Sequence, residues 1–185
     1  MKTSLRLGVV AAALLSAVAA IPTASAADLP SVKTDAPLQT VKAAGFNVDR
    51  HAKAGTAKIL TANAQLAAAS ANVCGAGYTI STGAWRYGTW GTTYTWTNGN
   101  TTGPNYEDRP ICAVFFNDTG SAHYMGVRLS TNYTSIGPVR NFGTFSSYAG
   151  PVYQSKGYCG TVYSYMKAPN GAVVVDNDQT VGACD

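Results

Sequence analysis

The chain has 185 residues, of which only 12% are charged, and a formal net charge of +4. That charge belongs to the first part of the chain: seven Lys and Arg against three acids precede residue 73, whereas six bases balance six acids after it. The balance argues against nucleic acid and anionic membrane as partners of the C-terminal part, because both require clustered Lys and Arg.

The first 26 residues have the features of a secretory signal peptide. Lys2 and Arg6 precede an apolar run over residues 7–21, and residues 24–26 give the small-x-small cleavage signature Ala-Ser-Ala. The apolar run is about fifteen residues long, whereas a membrane-spanning helix needs about twenty. We therefore predict cleavage after Ala26 and a secreted, extracellular mature protein without a membrane segment.

Residues 27–72 form an alanine-rich region that contains no cysteine, tryptophan or tyrosine. Ile59, Ala62, Leu66 and Ala69 recur at spacings of three and four, which predicts an amphipathic helix over Thr56–Ser70. The apolar side of this helix is thin, so the helix would be marginal unless it docks. Two interpretations stay open for the region: a flexible linker, or a pro-segment that is removed after export or shields a surface until then.

Residues 73–185 show short strand-like runs separated by turn signals such as Ala168-Pro169-Asn170-Gly171. This pattern predicts an all-β domain, a small antiparallel sandwich or barrel. Asn170-Gly171 is the strongest local hairpin signal. The predicted strands are Gly77–Thr82, Thr92–Thr97, Ile111–Phe116, Tyr124–Ser130, Val152–Gln154, Thr161–Met166 and Ala172–Asp176.

One stretch holds all three tryptophans of the chain. We call its aromatic residues the aromatic ribbon; they are Trp85, Tyr87, Trp90, Tyr94 and Trp96. One interpretation is a buried core, in which these side chains bury large apolar areas. The other is an exposed binding surface for sugar rings or another protein, since rigid aromatics supply contact area at low entropic cost.

Four cysteines, Cys74, Cys112, Cys159 and Cys184, lie in the predicted β domain. In an exported domain they indicate two disulfides with three possible connectivities. The pairing Cys74–Cys112 and Cys159–Cys184 is favoured because each bridge would close one half of the domain. The spacing does not suit zinc, so we predict no metal site and no cofactor.

The same cysteines carry a resemblance. The segments 74–78 (Cys-Gly-Ala-Gly-Tyr), 112–114 (Cys-Ala-Val), 148–153 (Tyr-Ala-Gly-Pro-Val-Tyr) and 159–160 (Cys-Gly) resemble the secreted spore-associated protein A family of filamentous actinobacteria. The resemblance covers the β domain only. It implies a small disulfide-bearing domain exported to the surface of aerial hyphae and spores, without an established enzymatic activity.

The residues that catalysis would need form no clear pattern. His123 is the only histidine after residue 73, and we interpret it as a surface or turn histidine. Glu107-Asp108-Arg109 is interpreted as a solvated turn rather than half of a carboxylate pair. Asp176-Asn177-Asp178 lacks the glycine and glutamate of a calcium loop, which favours a turn after the preceding strand.

These observations favour a secreted, non-enzymatic protein associated with the cell or spore surface. The alternative is a carbohydrate- or cell-wall-binding module that uses an exposed aromatic ribbon. A secreted hydrolase or hydrolase inhibitor is a third, weaker hypothesis. The expected partners are cell-wall polysaccharide or a surface protein, and neither nucleic acid nor membrane.

Overall fold

The computed structural model describes residues 37–184. The predicted signal peptide and residues 27–36 lie outside the described residues. The described chain contains two helices, α1 (Thr56–Ala62) and α2 (Ala64–Cys74). Its ten strands are β1 (Thr40–Ala43), β2 (Phe46–Asp49), β3 (Ile80–Tyr87), β4 (Gly91–Thr97), β5 (Ile111–Asn117), β6 (His123–Thr131), β7 (Val139–Phe145), β8 (Tyr148–Gln154), β9 (Gly160–Lys167) and β10 (Val173–Val181).

The strands form two sheets that pack as a β-sandwich. The six-stranded sheet has the order β1-β2-β3-β4-β5-β8, and the four-stranded sheet has the order β10-β9-β6-β7. Neighbouring strands are antiparallel except β2 and β3, which pair in parallel from Asn47 with Ile80 to Val48 with Ser81. Parallel neighbours need a crossover connection, which α1 and α2 supply here. The predicted fold class, a mostly antiparallel all-β sandwich with two disulfides, is confirmed.

The space between the two sheets is filled by alternate residues of their strands. Along β5, Ile111, Ala113 and Phe115 point into this core, where they meet Met125 and Val127 of β6. Cys112, Val114 and Phe116 of β5 are buried as well, on the opposite side of the six-stranded sheet. A strand with both sides covered is a continuous run of apolar residues, as this one is.

The helices α1 and α2 cover that opposite side of the six-stranded sheet. Leu60 of α1 and Ala67 of α2 pack into a second core with Tyr94 and Trp96 of β4. A polar contact fixes the packing, since the Trp96 indole N–H donates to the Ser70 hydroxyl at 2.6 Å. Residues 37–184 therefore form three layers: helices, the six-stranded sheet and the four-stranded sheet.

The alanine-rich region is part of this fold where the structure describes it. Residues 40–49 form the β1–β2 hairpin at the edge of the six-stranded sheet, and the two helices follow. The predicted boundary between residues 72 and 73 falls inside α2, so a flexible linker over residues 37–72 is wrong. The predicted helix begins at Thr56 as expected, but it is divided at Asn63 and ends at Cys74. Removal of the region as a pro-segment stays a prediction.

Most of the predicted strands are present with longer bounds. The strand predicted over Gly77–Thr82 is displaced to β3, and β7 was not predicted because its sequence, Val-Arg-Asn-Phe-Gly-Thr-Phe, lacks alternation. The hairpin at Asn170-Gly171 is confirmed and joins β9 to β10. Asp176-Asn177-Asp178 lies within β10, so the turn predicted there is wrong.

The predicted disulfide pairing is confirmed. Cys74 bonds to Cys112 and Cys159 bonds to Cys184, with Cα–Cα distances of 5.9 and 4.8 Å. The first bridge ties the end of α2 to β5 and thereby holds the helical layer on the sheet.

Over residues 37–184, no helix is long and apolar enough to cross a membrane.

Candidate functional site

The aromatic ribbon does not form a surface. Tyr94 and Trp96 are fully buried under the helices, and Trp85 is 6% exposed in the core between the sheets. An aromatic ring can stack on a sugar only when one of its faces meets solvent. The prediction of the ribbon as an exposed binding surface is therefore wrong for these three residues, because helices and a second sheet cover both sides of β3 and β4.

The two other ribbon residues are half-buried and serve the core. The ring of Tyr87 meets Phe115 edge-on at 5.7 Å between centroids, and its hydroxyl donates to Ser164 at 3.3 Å. Trp90 meets the imidazole of His123 edge-on at 5.9 Å. Burial raises the pKa of Tyr87, although the hydrogen bonds to Ser164 and Thr93 oppose the rise. Neither residue extends a platform with the other ribbon residues.

A different set of aromatic side chains lies on the outer side of the four-stranded sheet, away from the core. We call it the outer aromatic face and define it by Tyr124, Phe142, Tyr163 and Tyr165. The centroids of Phe142, Tyr163 and Tyr165 are 6.3 to 6.4 Å apart, with interplanar angles of 25 to 40°. Tyr124 is 48% exposed and meets Tyr165 edge-on at 6.4 Å. The Tyr163 ring lies within 27° of parallel to both Phe142 and Tyr165, those two rings are tilted by 40°, and the exposed Tyr124 shares their surface.

The sheet register explains how these rings come together. Gly126 of β6 pairs with Phe142 on one side and with Tyr165 on the other. A Cβ atom at Gly126 would lie 2.2 Å from the Phe142 ring, so any larger residue would displace that ring. The absence of a side chain at Gly126 lets the Phe142 ring lie over the backbone of the middle strand. An open groove of about 530 Å³ lies beside the Phe142 ring and is lined by Tyr124, Arg140, Asn141 and Phe142.

Charged groups flank the outer aromatic face on both sides. The Tyr163 hydroxyl donates to Asp176 at 2.8 Å, and Arg128 lies over the Tyr163 ring at 4.6 Å. Arg128 also approaches Asp178 at 3.6 Å. Burial, and then the hydrogen bond to Asp176, raise the pKa of Tyr163 to about 12. The face therefore combines apolar rings with carboxylate and guanidinium groups that can exchange hydrogen bonds with a polar ligand.

A buried ionic cluster replaces the solvated turn predicted at Glu107-Asp108-Arg109. Asp108 is fully buried, accepts a hydrogen bond from Tyr133 at 2.7 Å and pairs with Lys156 at 3.3 Å. Burial alone would raise the pKa of Asp108, but its hydrogen bonds outweigh burial and lower it. The buried Arg109 guanidinium lies over the Tyr106 ring at 4.1 Å. Because every described contact of this cluster is internal to the domain, we assign it to stability.

A second buried cluster was also not anticipated. The Tyr158 hydroxyl donates to Asp49, which in turn lies 3.4 Å from the ring of His51. Burial, and then the contact with Asp49, raise the pKa of Tyr158 above its ordinary value. This hydrogen bond joins the β1–β2 hairpin to the core between the sheets, which is further reason to treat the hairpin as part of the domain.

His123 is not a surface histidine. It begins β6, is 4% exposed, and has hydrogen-bond partners for both ring nitrogens, Ser121 and the backbone carbonyl of Lys167. Among residues 37–184, no group of three or more His, Cys, Asp or Glu side chains could hold a metal ion.

Part of the outer aromatic face can be recognised from the sequence of β9. The strand predicted over Thr161–Met166 alternates, with Tyr163 and Tyr165 on one side and Val162, Ser164 and Met166 on the other. That alternation places both tyrosines on the side opposite an apolar row. Phe142 lies in the strand that was not predicted, so its place beside them depended on tertiary pairing.

Comparisons of the chain with protein-family models, with curated proteins and with solved structures found no match. The class supported by the fold is a disulfide-bonded β-sandwich with a helical layer on one sheet. The resemblance to the spore-associated protein A family stays a prediction.

Proposed function

We propose that this protein is exported and acts at the cell or spore surface, where it binds a neutral polysaccharide through the outer aromatic face. The observation that carries the proposal is the set of three neighbouring rings, Phe142, Tyr163 and Tyr165, on the solvent side of a sheet. The proposal keeps the predicted polysaccharide partner and moves the binding surface from the buried ribbon to this face.

The composition of the face supports a ligand over plain solvation. The solvent side of an antiparallel sheet is normally polar. Here the rows of β6, β7 and β9 carry four aromatic side chains, which are side chains enriched in binding surfaces. The apolar C–H side of a pyranose ring matches an aromatic ring in size and flatness, and its hydroxyls need hydrogen-bond partners at the edge.

The flanking charges favour a neutral ligand. Arg128 and Arg140 lie on one side of Tyr163 and Asp178 lies on the other, in a single row across the sheet. Because the face carries acids as well as bases, a polyanion would meet repulsion from Asp176 and Asp178. Carboxylates and guanidinium groups suit paired hydrogen bonds to neutral hydroxyls.

A pull-down on insoluble cellulose, chitin and peptidoglycan tests the proposal with the full chain lacking its predicted signal peptide. We expect binding to cellulose or chitin, the two neutral polymers, and at least about tenfold weaker binding for Tyr163→Ala, a loss of about 1.4 kcal/mol. Tyr124→Ala should weaken binding as well. Its matched control is Tyr153→Ala, since Tyr153 is 43% exposed but lies on β8, away from the face.

Binding to neither cellulose nor chitin, or binding to the anionic peptidoglycan alone, would contradict the proposal. So would an equal loss in the Tyr153→Ala control, because that result would locate the effect outside the outer aromatic face. Each variant is accepted only if its thermal unfolding is cooperative.

A further inference from the structure

The turn between β5 and β6 brings a serine and a histidine into contact. The Ser121 hydroxyl oxygen lies 3.1 Å from Nε2 of His123, and Nδ1 of His123 lies 2.9 Å from the backbone carbonyl oxygen of Lys167. The geometry points to an acyl-transfer site, in which Ser121 is the nucleophile and His123 is its base. This site is separate from the proposed binding function and is assigned by its own contacts.

The hydrogen bonds define the tautomer of the neutral His123 imidazole. A backbone carbonyl can only accept, so Nδ1 of His123 must carry the proton that is donated to Lys167. In the neutral ring Nε2 is then an acceptor, and the Ser121 hydroxyl donates to it. This is the tautomer that a serine nucleophile requires of its base, and the Lys167 carbonyl takes the orienting position that a carboxylate has in a Ser-His-Asp triad.

Exposure is divided between the two residues as acyl transfer requires. His123 is 4% exposed and its ring is held edge-on against Trp90, whereas Ser121 is exposed. The base is therefore held in place by the protein, and the nucleophile is open to a substrate.

The turn itself is fixed by a chain of hydrogen bonds. The Asn117 side-chain amide donates to the Ser121 carbonyl at 2.7 Å, and the Ser121 N–H donates to the Thr119 hydroxyl at 3.2 Å. The Thr119 hydroxyl oxygen lies 2.7 Å from Asn117 Oδ1, 3.3 Å from the Ser121 carbonyl oxygen and 3.3 Å from the Ser121 hydroxyl oxygen. Nε2 of His123, at 3.1 Å, is the nearer acceptor for the Ser121 proton, in a turn whose shape is set before a substrate arrives.

The reaction balances without a cofactor. As the Ser121 oxygen attacks the carbonyl carbon of an ester, its proton passes to Nε2 of His123 and a C–O bond forms. The proton then passes to the leaving alkoxide as the ester C–O bond breaks, which releases an alcohol and leaves an acyl-serine. Water then loses a proton to the same nitrogen and attacks the acyl carbon; the acyl C–O bond to Ser121 breaks, the proton passes from Nε2 to the serine oxygen, and a carboxylic acid leaves. The N–H of Ala122, the residue after the nucleophile, is the candidate donor to the oxyanion.

The surroundings of Ser121 select a compact acyl group. Its hydrogen-bonded neighbours, Asn117 and Thr119, are polar, and the residue lies on an exposed turn rather than in an apolar cleft. A long acyl chain would find no complementary surface among these groups. We therefore assign a short-chain carboxylic ester, such as an acetyl ester, as the substrate class.

The test is covalent labelling of the intact, disulfide-bonded chain with a fluorophosphonate, followed by peptide mapping, with hydrolysis of p-nitrophenyl acetate measured in parallel. Labelling should occur at Ser121 and should be about a hundredfold slower in His123→Asn, the contribution expected of a general base. Asparagine retains an N–H for the Lys167 carbonyl but has no basic nitrogen. Ser121→Ala should abolish both the label and ester hydrolysis.

Ser135 is the matched control, because it is an exposed serine in another turn. Labelling of Ser121 no faster than Ser135 in the unmodified chain would overturn the assignment, even if His123→Asn failed to fold. Undiminished labelling in a folded His123→Asn variant would overturn it as well. A positive result would make the prediction that the protein is not an enzyme wrong.

Discussion

Among the described residues, two sets of aromatic side chains are built alike but lie in different surroundings. The aromatic ribbon and the outer aromatic face both place tyrosine with tryptophan or phenylalanine on antiparallel strands. On β4, Tyr94 and Trp96 are fully buried beneath helices, whereas on β9 Tyr163 and Tyr165 keep part of their surface in solvent. The difference arises from what lies above each strand, because the two strands alternate in the same way.

This contrast separates two roles for the same residue types. A covered ring contributes the free energy of its buried area to folding. An exposed ring contributes little to folding, but its surface remains available to a ligand. Substitutions in the aromatic ribbon should therefore change the free energy of unfolding, whereas substitutions on the outer aromatic face should change ligand binding. Three predictions test this contrast.

The largest effect is expected for Trp96→Ala compared with Tyr163→Ala. Trp96 is fully buried and its indole N–H donates to Ser70, so its removal should lower the free energy of unfolding by about 3 to 5 kcal/mol. Tyr163→Ala on the outer aromatic face should lower it by about 1 kcal/mol or less. Urea unfolding followed by far-ultraviolet circular dichroism measures both values.

Trp96→Phe should fall between the two, since it keeps a ring and loses only the N–H donor and part of the volume. Equal losses in the free energy of unfolding for Trp96→Ala and Tyr163→Ala would contradict the assignment of the aromatic ribbon to folding and the outer aromatic face to binding.

A smaller effect is expected when single hydroxyl groups are removed from buried tyrosines. Within the described residues the Tyr94 hydroxyl makes no hydrogen bond of normal geometry, and the nearby Thr92 hydroxyl donates to Asp118 instead at 2.8 Å. Tyr94→Phe should therefore leave the free energy of unfolding unchanged or raise it by up to about 1 kcal/mol. Tyr158→Phe should lower it by about 1.5 to 3 kcal/mol, because Asp49 would lose a buried donor. Thermal unfolding of the two variants compares them, and a clear loss in Tyr94→Phe would contradict the prediction.

The smallest expected effect is a change in the pKa of Tyr163 on the outer aromatic face. The pKa of Tyr163 is raised from 10.0 to about 12, by burial and by its hydrogen bond to Asp176. Since the pKa is raised in the folded state, the neutral phenol favours folding; this contribution is complete below about pH 10 and is lost as the pH rises through about 12. In Asp176→Asn the pKa of Tyr163 should fall towards its ordinary value, as followed by nuclear magnetic resonance of isotope-labelled tyrosine rings. An unchanged pKa in that variant would show that Asp176 does not act on Tyr163.

The strands and their sides could largely be predicted, because alternation and turn residues are local signals. Residues 111–116 illustrate both the success and its limit, since their apolar run predicts a strand covered on two sides but not what covers it. The cover is α1 and α2, whose thin apolar side gave no indication of its docking partner. The pairing of the cysteines was favoured correctly because each bridge spans one half of the domain.

The candidate sites were harder to predict because they depend on contacts between distant residues. Asp108 lies in a polar stretch typical of a turn, and only the approach of Tyr133 and Lys156 makes its burial tolerable. Phe142 joins Tyr165 only because Gly126 lies between them in the register of the sheet. His123 gains its orientation from Lys167, which is 44 residues away in the sequence.

The disulfide at the end of α2 has a consequence for proteolytic processing. A cut at the predicted boundary between residues 72 and 73 would leave Cys74 with the sandwich, so nothing covalent would retain the hairpin and most of the helical layer. A cut in the exposed stretch around Ala76 and Gly77 would instead leave that layer linked to β5 through the sulfur atoms of Cys74 and Cys112. Which side of Cys74 a protease selects thus determines whether the helical layer is shed or kept as a second, covalently tethered chain.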